Sequence, residues 1–161
     1  MSATKTAVHY RPMHPGDIDA ALRLWRATDG VGLSGADEPD QLERFLRAND
    51  GLCWCAVTAS RLVGTVLCGS DGRRGYLYHV AVDGGEQRSG VGRRLVDCAL
   101  EAARAAGIAK CHAMVFAANE GGRSFWERLG WSLRDDLVVY SRDLDPGTDD
   151  AAADAAGGDR A

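Results

Sequence analysis

The sequence predicts a single α/β (α+β) domain built on a mixed, mostly antiparallel sheet of six or seven strands flanked by helices. Segments with helical spacing of apolar residues alternate with short runs rich in Val, Leu, Tyr and Cys, which are typical of strands. Three such runs, residues 52–58, 62–69 and 76–82, are joined by short turns and should pair as antiparallel neighbours. A long helix then separates residues 76–82 from a strand at 110–117, and a crossover of this length makes those two strands parallel.

The N-terminal part of the chain is predicted to contain one strand and two helices. Residues 7–11 form the strand, and Pro12 ends it. A helix begins at Pro15-Gly16-Asp17 and ends near residues 28–30, because apolar side chains recur at helical spacing between them. A second helix is predicted over residues 37–48. The apolar positions of the two helices are Ile18, Ala21, Leu22, Trp25, Leu42, Phe45 and Leu46.

The C-terminal part of the domain contributes two further helices. A glycine-rich turn over residues 84–92 leads into a helix over 91–106, which Gly107 ends before the parallel strand. Residues 119–129 form another helix. Residues 131–144 supply one or two closing strands, which brings the predicted sheet to six or seven strands.

Charge and composition limit the classes of function. The chain has 161 residues and a net charge of -4, and its composition is that of a globular protein. Residues 145–161 hold five Asp, one Arg and no bulky apolar residue, so we expect a disordered acidic tail after a domain over residues 1–144. The domain itself has 18 basic and 18 acidic residues, and a neutral domain is not expected to bind nucleic acid.

The sequence also indicates where in the cell the protein is expected and whether it binds a metal. No apolar run approaches the roughly 20 residues of a membrane-spanning helix, and residues 1–9 lack the apolar core of a signal peptide. We therefore expect a cytoplasmic protein without membrane contact. The five cysteines have no metal-binding spacing, so no metal site is expected.

The segment before the long helix is suited to bind a phosphate. Its glycines let the backbone turn and approach a ligand, and the first turn of a helix offers unpaired N–H groups. Neither a P-loop nor a Rossmann fingerprint fits, because Gly-Lys-Ser/Thr and the third glycine are missing. A plain strand-to-helix turn and a nucleotide site remain alternatives at this point. The segment consists of Gln87, Arg88, Ser89, Gly90, Val91 and Gly92, followed by Arg93 and Arg94.

An ordered set of motifs resembles a known family. The motifs are Val80-Ala81-Val82, the segment from Gln87 to Gly92, Ala117-Ala118-Asn119, and Ser124-Phe125-Trp126-Glu127-Arg128-Leu129-Gly130-Trp131. Over residues 7–144 they resemble the GCN5-related N-acetyltransferase (GNAT) superfamily. Residues 64–82 resemble its small bacterial YpeA-type branch.

The resemblance implies a binding mode for acetyl-CoA. The ligand would lie in a V-shaped gap between the splayed parallel strands at residues 80–82 and 114–117, with its pyrophosphate on the amides of residues 88–92. Splayed strands leave N–H and C=O groups that an amide-bearing arm can satisfy. Asn119 is expected either to cap the following helix or to contact CoA. The residues implied in binding are Val80, Ala81, Val82, Gln87, Arg88, Ser89, Gly90, Val91, Gly92, Arg93, Asn119, Phe125 and Trp126.

The acid and base of the family are missing from their usual positions. Many members use a Tyr that follows the Phe of the last helix, and here that position is Trp126. The positions that carry Glu in relatives are Tyr76, Tyr78 and Met114. The remaining catalytic candidates are Tyr76, Tyr78 and His79. As alternatives without a catalytic role, the two tyrosines would line the walls of the cleft and the histidine would lie in the core. The two tyrosines share a face, and His79 points the other way unless a bulge intervenes.

The resemblance implies an acetyl-CoA-dependent N-acetyltransferase that acts on a primary amine of a small molecule, peptide or protein. The amine would attack directly in a ternary complex. The alternative is a catalytically silent acyl-CoA-binding or regulatory module, and a homodimer is left open. Acceptor choice is expected to depend on residues 30–40. Within them, Asp37, Glu38 and Asp40 either attract a cationic amine or follow the preference for negative charge at the N-terminus of a helix.

Overall fold

Strands and helices alternate in the computed structural model, which describes residues 7–59 and 61–144. The predicted tail at 145–161 lies outside these residues. Two short 3₁₀ turns, Pro15–Asp17 and Gly35–Asp37, precede the first two helices. The strands are β1 (His9–Pro12), β2 (Trp54–Val57), β3 (Leu62–Ser70), β4 (Gly75–Val82) and β5 (Cys111–Ala113). The helices are α1 (Ile18–Arg26), α2 (Pro39–Ala48), α3 (Val91–Ala105) and α4 (Glu120–Arg128).

The sheet is mixed, as the sequence predicts. Its strand order is β1-β2-β3-β4-β5, with antiparallel pairs from β1 to β4 and a parallel β4–β5 pair. The α3 crossover lies between the two parallel strands, so the predicted α/β class and the parallel connection are confirmed.

The predicted strand count of six or seven is wrong for the described residues, which form five strands. Residues 131–144, which are predicted to supply the closing strands, contain no strand, and the predicted strand at 110–117 is reduced to Cys111–Ala113. The side chains of Leu137, Val138 and Val139 are exposed. Strand propensity produces a strand only where the backbone finds a pairing edge, and the three-residue β5 offers a short one.

Two apolar cores lie on opposite faces of the sheet. On the first, which we call the α1/α2 face, helices α1 and α2 pack over β2, β3 and β4 with Trp25 and Leu42 almost fully buried. On the second, the α3/α4 face, Leu95 of α3 packs against Val66 and Leu77. Within residues 7–59 and 61–144, no helix has the length and apolar character needed to cross a membrane.

A β-bulge interrupts the regular alternation of β4. Thr65 pairs with Ala81, but Leu67 pairs with Tyr78, so two residues of β4 lie opposite Val66. His79 lies in the bulge with a φ of 48°, a conformation that few non-glycine residues adopt. The bulge turns the side chain of His79 onto the same face as Tyr78, where strict alternation would place it on the opposite face.

Candidate active site

Strands β4 and β5 diverge after a short parallel pairing. Their last paired residues are Leu77 and Ala113, while β4 continues to Val82. In the described part of the chain, no strand pairs with this side of β4 beyond Leu77. The backbone from Tyr78 to Val82 therefore forms a free strand edge, which an extended ligand with amide groups can join. The predicted binding residues Val80, Ala81 and Val82 lie on this edge.

The loop after β4 places backbone N–H groups in front of α3. Arg88 and Gly90 have positive φ values of 62° and 86°, and Gly90 immediately precedes the helix. Glycine adopts this conformation without steric cost and has no side chain to cap the first turn. The side chain of Gln87 donates to the Val82 carbonyl oxygen at 3.1 Å, which fixes the loop to the end of β4. This arrangement favours an anion at the first turn of α3.

The charges around the first turn of α3 also favour an anion. The turn contains no acidic residue, and it carries Arg93 and Arg94, although cations are unfavourable at the positive end of a helix. Arg94 pairs with Glu101 at 3.4 Å, and Arg93 donates to the Arg128 carbonyl oxygen at 3.4 Å. A bound phosphate group would balance the charge of the helix end and of Arg93, whose partner is an uncharged carbonyl oxygen.

An aromatic cluster supports the start of α3. A Cβ atom at Gly92 would lie 3.2 Å from Phe125, so glycine permits the close approach of α3 to α4. The ring centroids of Phe125 and Trp126 are 5.2 Å apart, and those of Trp126 and Trp131 are 4.4 Å apart. Asn119 accepts a hydrogen bond from the Gly122 N–H at 2.9 Å and so caps α4, the first of its two expected roles.

The catalytic candidates Tyr76, Tyr78 and His79 lie on the α1/α2 side of β4 and β5. The ring of Tyr76 is 5.7 Å from that of His112, and the ring of Tyr78 is 6.3 Å from that of Phe45. Burial raises the pKa of Tyr78, and the nearby Tyr76 acts in the same direction. At neutral pH the Tyr78 phenol therefore keeps its proton, which makes it unsuited to act as a base.

The side chain of His79 is held by contacts that sequence patterns do not reveal. Its Nε2 lies 2.6 Å from Oδ1 of Asp37, and its ring packs 4.4 Å from that of Trp25. The Thr65 hydroxyl donates to the His79 carbonyl oxygen at 2.8 Å and accepts from the Trp25 indole N–H at 2.8 Å. The side chains of Asp37 and His79 are only 10% and 16% exposed. These contacts fix both the ring and the backbone of His79.

Asp37 was not among the residues predicted to be catalytic. Burial acts to raise its pKa, but hydrogen bonds from His79 and from the Ser34 backbone N–H outweigh burial and lower the pKa. The sequence signal that could have pointed to Asp37 was its acidic side chain near the start of a predicted helix. Asp37 instead lies in the turn before α2 and pairs across 42 positions of sequence. Glu38 and Asp40, by contrast, are exposed at the start of α2.

Residues 30–37 lie across the opening between β4 and β5. A Cβ atom at Gly32 would be 2.8 Å from the ring of Phe116, which follows β5, and Gly30 packs against the side chain of Asn119. The other end of the segment is fixed to β4 through Asp37 and His79. The segment therefore borders the splayed strands on the α1/α2 face.

A groove of about 620 Å³ lies outside this opening, between α1 and the β2–β3 turn. Its charged side chains are largely paired with one another. Arg11 binds Asp17 through two hydrogen bonds of 2.8 Å, and Arg61 binds Asp83 at 2.8 and 3.1 Å. Because these pairs already satisfy their polar groups, the splayed strands are the stronger candidate site.

Comparison with known proteins identifies the family of the chain. The model of the acetyltransferase (GNAT) family matches residues 18–131. An acetyltransferase of Sodalis glossinidius is 27% identical over 128 residues, which cover 80% of this chain and 89% of that protein. These matches confirm the family resemblance that the ordered motifs indicate.

Solved structures show the same fold. Ard1 from Thermoplasma volcanium superposes with a TM-score of 0.71 at 19% identity, covering 80% of this chain and 84% of that one. The PaiA N-acetyltransferase from Thermoplasma acidophilum, solved in complex with coenzyme A, has a TM-score of 0.68 at 19% identity. That alignment covers 80% of this chain and 92% of that one.

Proposed function

The chain belongs to the acetyltransferase (GNAT) family, and we propose that it transfers the acetyl group of acetyl-CoA to a primary amine. One observation carries the proposal: the free edge of β4 leads from His79 at the point of divergence to the first turn of α3, which has no side-chain cap and no acidic residue. Acetyl-CoA has a matching sequence of groups, with a thioester, an amide-bearing arm and a pyrophosphate.

The proposed ligand orientation assigns a role to each predicted binding segment. The amide-bearing arm pairs with Val80, Ala81 and Val82 as an added strand. The pyrophosphate accepts hydrogen bonds from the backbone of residues 88–92, and Arg93 adds positive charge. The thioester then lies at the divergence of β4 and β5, beside Tyr78 and His79.

Amine acetylation requires a proton acceptor near that thioester. A lysine-like amine has a pKa near 10.4 and is almost fully protonated at neutral pH, when its nitrogen has no free electron pair. The acceptor face of β4 contains Tyr76, Tyr78 and His79, and the neutral imidazole is the most suitable base among these side chains. The amine nitrogen then attacks the thioester carbon directly in the ternary complex.

An acyl-CoA-binding module without turnover is the second candidate. Trp126 occupies the position of the family's acid tyrosine, and its ring packs against Phe125 and Trp131. Such a module would bind acetyl-CoA but would release no CoA thiol when amines are added. Amine-dependent CoA release therefore separates the two candidates.

Substitution of Gly90 tests the binding site against a matched control. Gly90 and Gly107 flank α3, have φ values of 86° and 84°, and have open space around an added Cβ. Alanine at either position costs about 1–2 kcal/mol of backbone strain, so both variants should show a lower melting temperature. Only Gly90→Ala should weaken acetyl-CoA binding, by about tenfold or more, because it distorts the anion site.

The measurement is the thermal shift on titration with acetyl-CoA, followed by an assay of CoA release with a panel of primary amines. Stabilisation of wild type and of Gly107→Ala, with a reduced effect in Gly90→Ala, supports the proposed site. Absence of any acetyl-CoA-dependent shift in wild type would contradict acetyl-CoA binding. Equal weakening in both glycine variants would contradict the assignment to the first turn of α3.

A further inference from the structure

Asp37 and His79 meet where β4 and β5 begin to diverge. His79 follows the last β4 residue paired with β5, Leu77, by two positions. The bulge directs its side chain to the α1/α2 face, which residues 30–37 border. The pair is therefore beside the proposed thioester position and on the side from which an acceptor approaches.

The contact with Asp37 determines which ring nitrogen of His79 is available. Oδ2 of Asp37 already accepts the Ser34 backbone N–H at 2.8 Å, and the lowered pKa of Asp37 keeps the group ionised at neutral pH. An ionised carboxylate only accepts hydrogen bonds, so the 2.6 Å contact requires a proton on Nε2 of His79. In the neutral ring Nδ1 then has a free electron pair. Within the described residues, no side chain or backbone group hydrogen-bonds to Nδ1.

The surroundings hold the imidazole in one orientation. Trp25 packs against the ring, and Thr65 binds the His79 carbonyl oxygen. The positive φ of His79 is an unfavourable conformation that persists because these contacts and the bulge determine it. Strained residues of this kind cluster at functional sites, and here the strain places the ring on the acceptor face.

We propose that Asp37 and His79 form a dyad in which Asp37 positions the imidazole and His79 accepts a proton from the acceptor ammonium at Nδ1. The inference rests on the N-acetyltransferase function proposed above. Asp37 is a positioning residue, since it acts through His79, whereas His79 is the catalytic base.

The proton and electron balance of the step is complete. The ammonium gives one proton to Nδ1, and the nitrogen electron pair forms the C–N bond. The C–S bond breaks, and its electron pair stays on sulfur. After the C–N bond has formed, the nitrogen loses a second proton, which is transferred to the thiolate. The imidazolium releases its proton to solvent. The products are one amide, one CoA thiol and one free proton.

The pH dependence of this base is governed by a small set of groups. Asp37 is the charged side chain in contact with the ring, and Tyr78 is the titratable neighbour on β4. The groups contributed by α1 and β3, the Trp25 ring and the Thr65 hydroxyl, do not titrate in the working range. The fall of kcat/KM on the acidic side of its pH profile, which we call the acidic limb, should therefore report on His79 and respond to the charge of Asp37.

The test uses the full-length protein with acetyl-CoA and an amine that supports turnover, with kcat/KM measured from about pH 5 to about pH 9. His79→Gln keeps an amide that can donate to Asp37 but cannot take up a proton. We expect it to retain the melting temperature and acetyl-CoA affinity while kcat falls about a hundredfold or more and the acidic limb disappears.

Asp37→Asn should lower kcat/KM about tenfold or more and move the acidic limb to lower pH. Loss of the negative charge destabilises the imidazolium, and the asparagine amide can donate to Nε2 and so favour the wrong tautomer. Ser34→Ala is the matched control: its hydroxyl accepts from the Ala36 N–H and makes only a 3.5 Å contact with Oδ2 of Asp37, so the carboxylate keeps its charge and its bonds to the Ser34 N–H and to His79. Its pH midpoint should lie much closer to that of wild type than the midpoint of Asp37→Asn does.

The outcomes separate the dyad from the function on which it rests. No amine-dependent CoA release by wild type overturns the proposed function and the dyad with it. Turnover in wild type with an unchanged pH profile in both His79→Gln and Asp37→Asn overturns the dyad alone. If Ser34→Ala moves the midpoint as far as Asp37→Asn does, the pair only anchors residues 30–37, and the dyad is again overturned.

Discussion

Thr65 lies fully buried in β3, and its hydroxyl serves two partners. It accepts from the Trp25 indole N–H and donates to the His79 carbonyl oxygen, each at 2.8 Å. Thr65→Val keeps the shape of the side chain but removes the hydrogen bonds of the buried Trp25 indole N–H and of the partly buried His79 carbonyl oxygen. The free energy of unfolding in urea should fall by about 1–3 kcal/mol.

Thr58 supplies the control for this prediction. Its hydroxyl donates to the Arg61 carbonyl oxygen at 3.3 Å in an exposed turn, where water can replace the bond. Thr58→Val should therefore change the free energy of unfolding by no more than about 0.5 kcal/mol. Equal effects of the two substitutions would show that burial of the Thr65 hydrogen bonds is not the source of the stabilisation.

Single residues also show which parts of the site the sequence could predict. Gly90 could be identified because a glycine before a helix at the end of a strand has a local physical meaning. The partnership of Asp37 with His79 could not, since it joins residues 42 positions apart and depends on a bulge. Alternation alone would point His79 away from Tyr78, and no local pattern in β4 marks the extra residue.

Among the elements, helix α4 depends for its stability on the cap at its first turn. Asn119 accepts from the Gly122 N–H, and none of the residues in this helix is fully buried. Packing therefore stabilises α4 less than it stabilises the buried α3, and the cap matters more. Asn119→Ala should lower the free energy of unfolding by about 0.5–2 kcal/mol.

Asn119→Ser separates the cap from the other contact of this side chain. Serine retains a capping oxygen, but it is shorter than asparagine and loses the packing against Gly30. Urea unfolding should place Asn119→Ser closer to wild type than Asn119→Ala. If the two variants are equally destabilised, contact with Gly30 rather than the cap determines the effect.

Element type was predictable where apolar spacing is strong, and element length was less so. The long helix α3 matches its prediction closely, because its apolar residues repeat over several turns. Strand β5 is shorter than predicted, and no strand forms in residues 132–144. Strand formation depends on a partner edge elsewhere in the chain, which the composition of the strand itself does not specify.

At the scale of the molecule, the sheet separates two tasks. The proposed CoA phosphates meet the start of α3, which packs on the α3/α4 face. The proposed acceptor side is bordered by residues 30–37 on the α1/α2 face. The family resemblance of the ordered motifs implies this general arrangement, which stays a prediction. The contact of Gly32 with Phe116 and of Gly30 with Asn119 depends on the folded crossing of distant segments, so sequence spacing could not predict it.

The response of the molecule to acid should depend strongly on one partly buried ion pair. Burial acts to raise the pKa of Asp17, but hydrogen bonds from Arg11 and from the His14 N–H outweigh burial, so the pKa lies below its usual value of 3.8. The unfolded chain therefore binds more protons than the folded one in this range. The contribution of Asp17 to stability is fully present above pH 3.8 and is lost as pH falls through the lower, folded pKa.

Arg11→Met tests this contribution by urea unfolding at pH 7 and at a series of lower pH values. The variant should be less stable than wild type at pH 7, because the Asp17 side chain, only 14% exposed, keeps its charge without its ionic partner. The difference should narrow as pH falls below 3.8, since protonation removes the need for the partner. Arg61→Met is the control: its pair with Asp83 is more exposed and should contribute only about 0–1 kcal/mol. A difference between wild type and Arg11→Met that stays constant with pH would show that packing of the Arg11 side chain, not its charge, stabilises the fold.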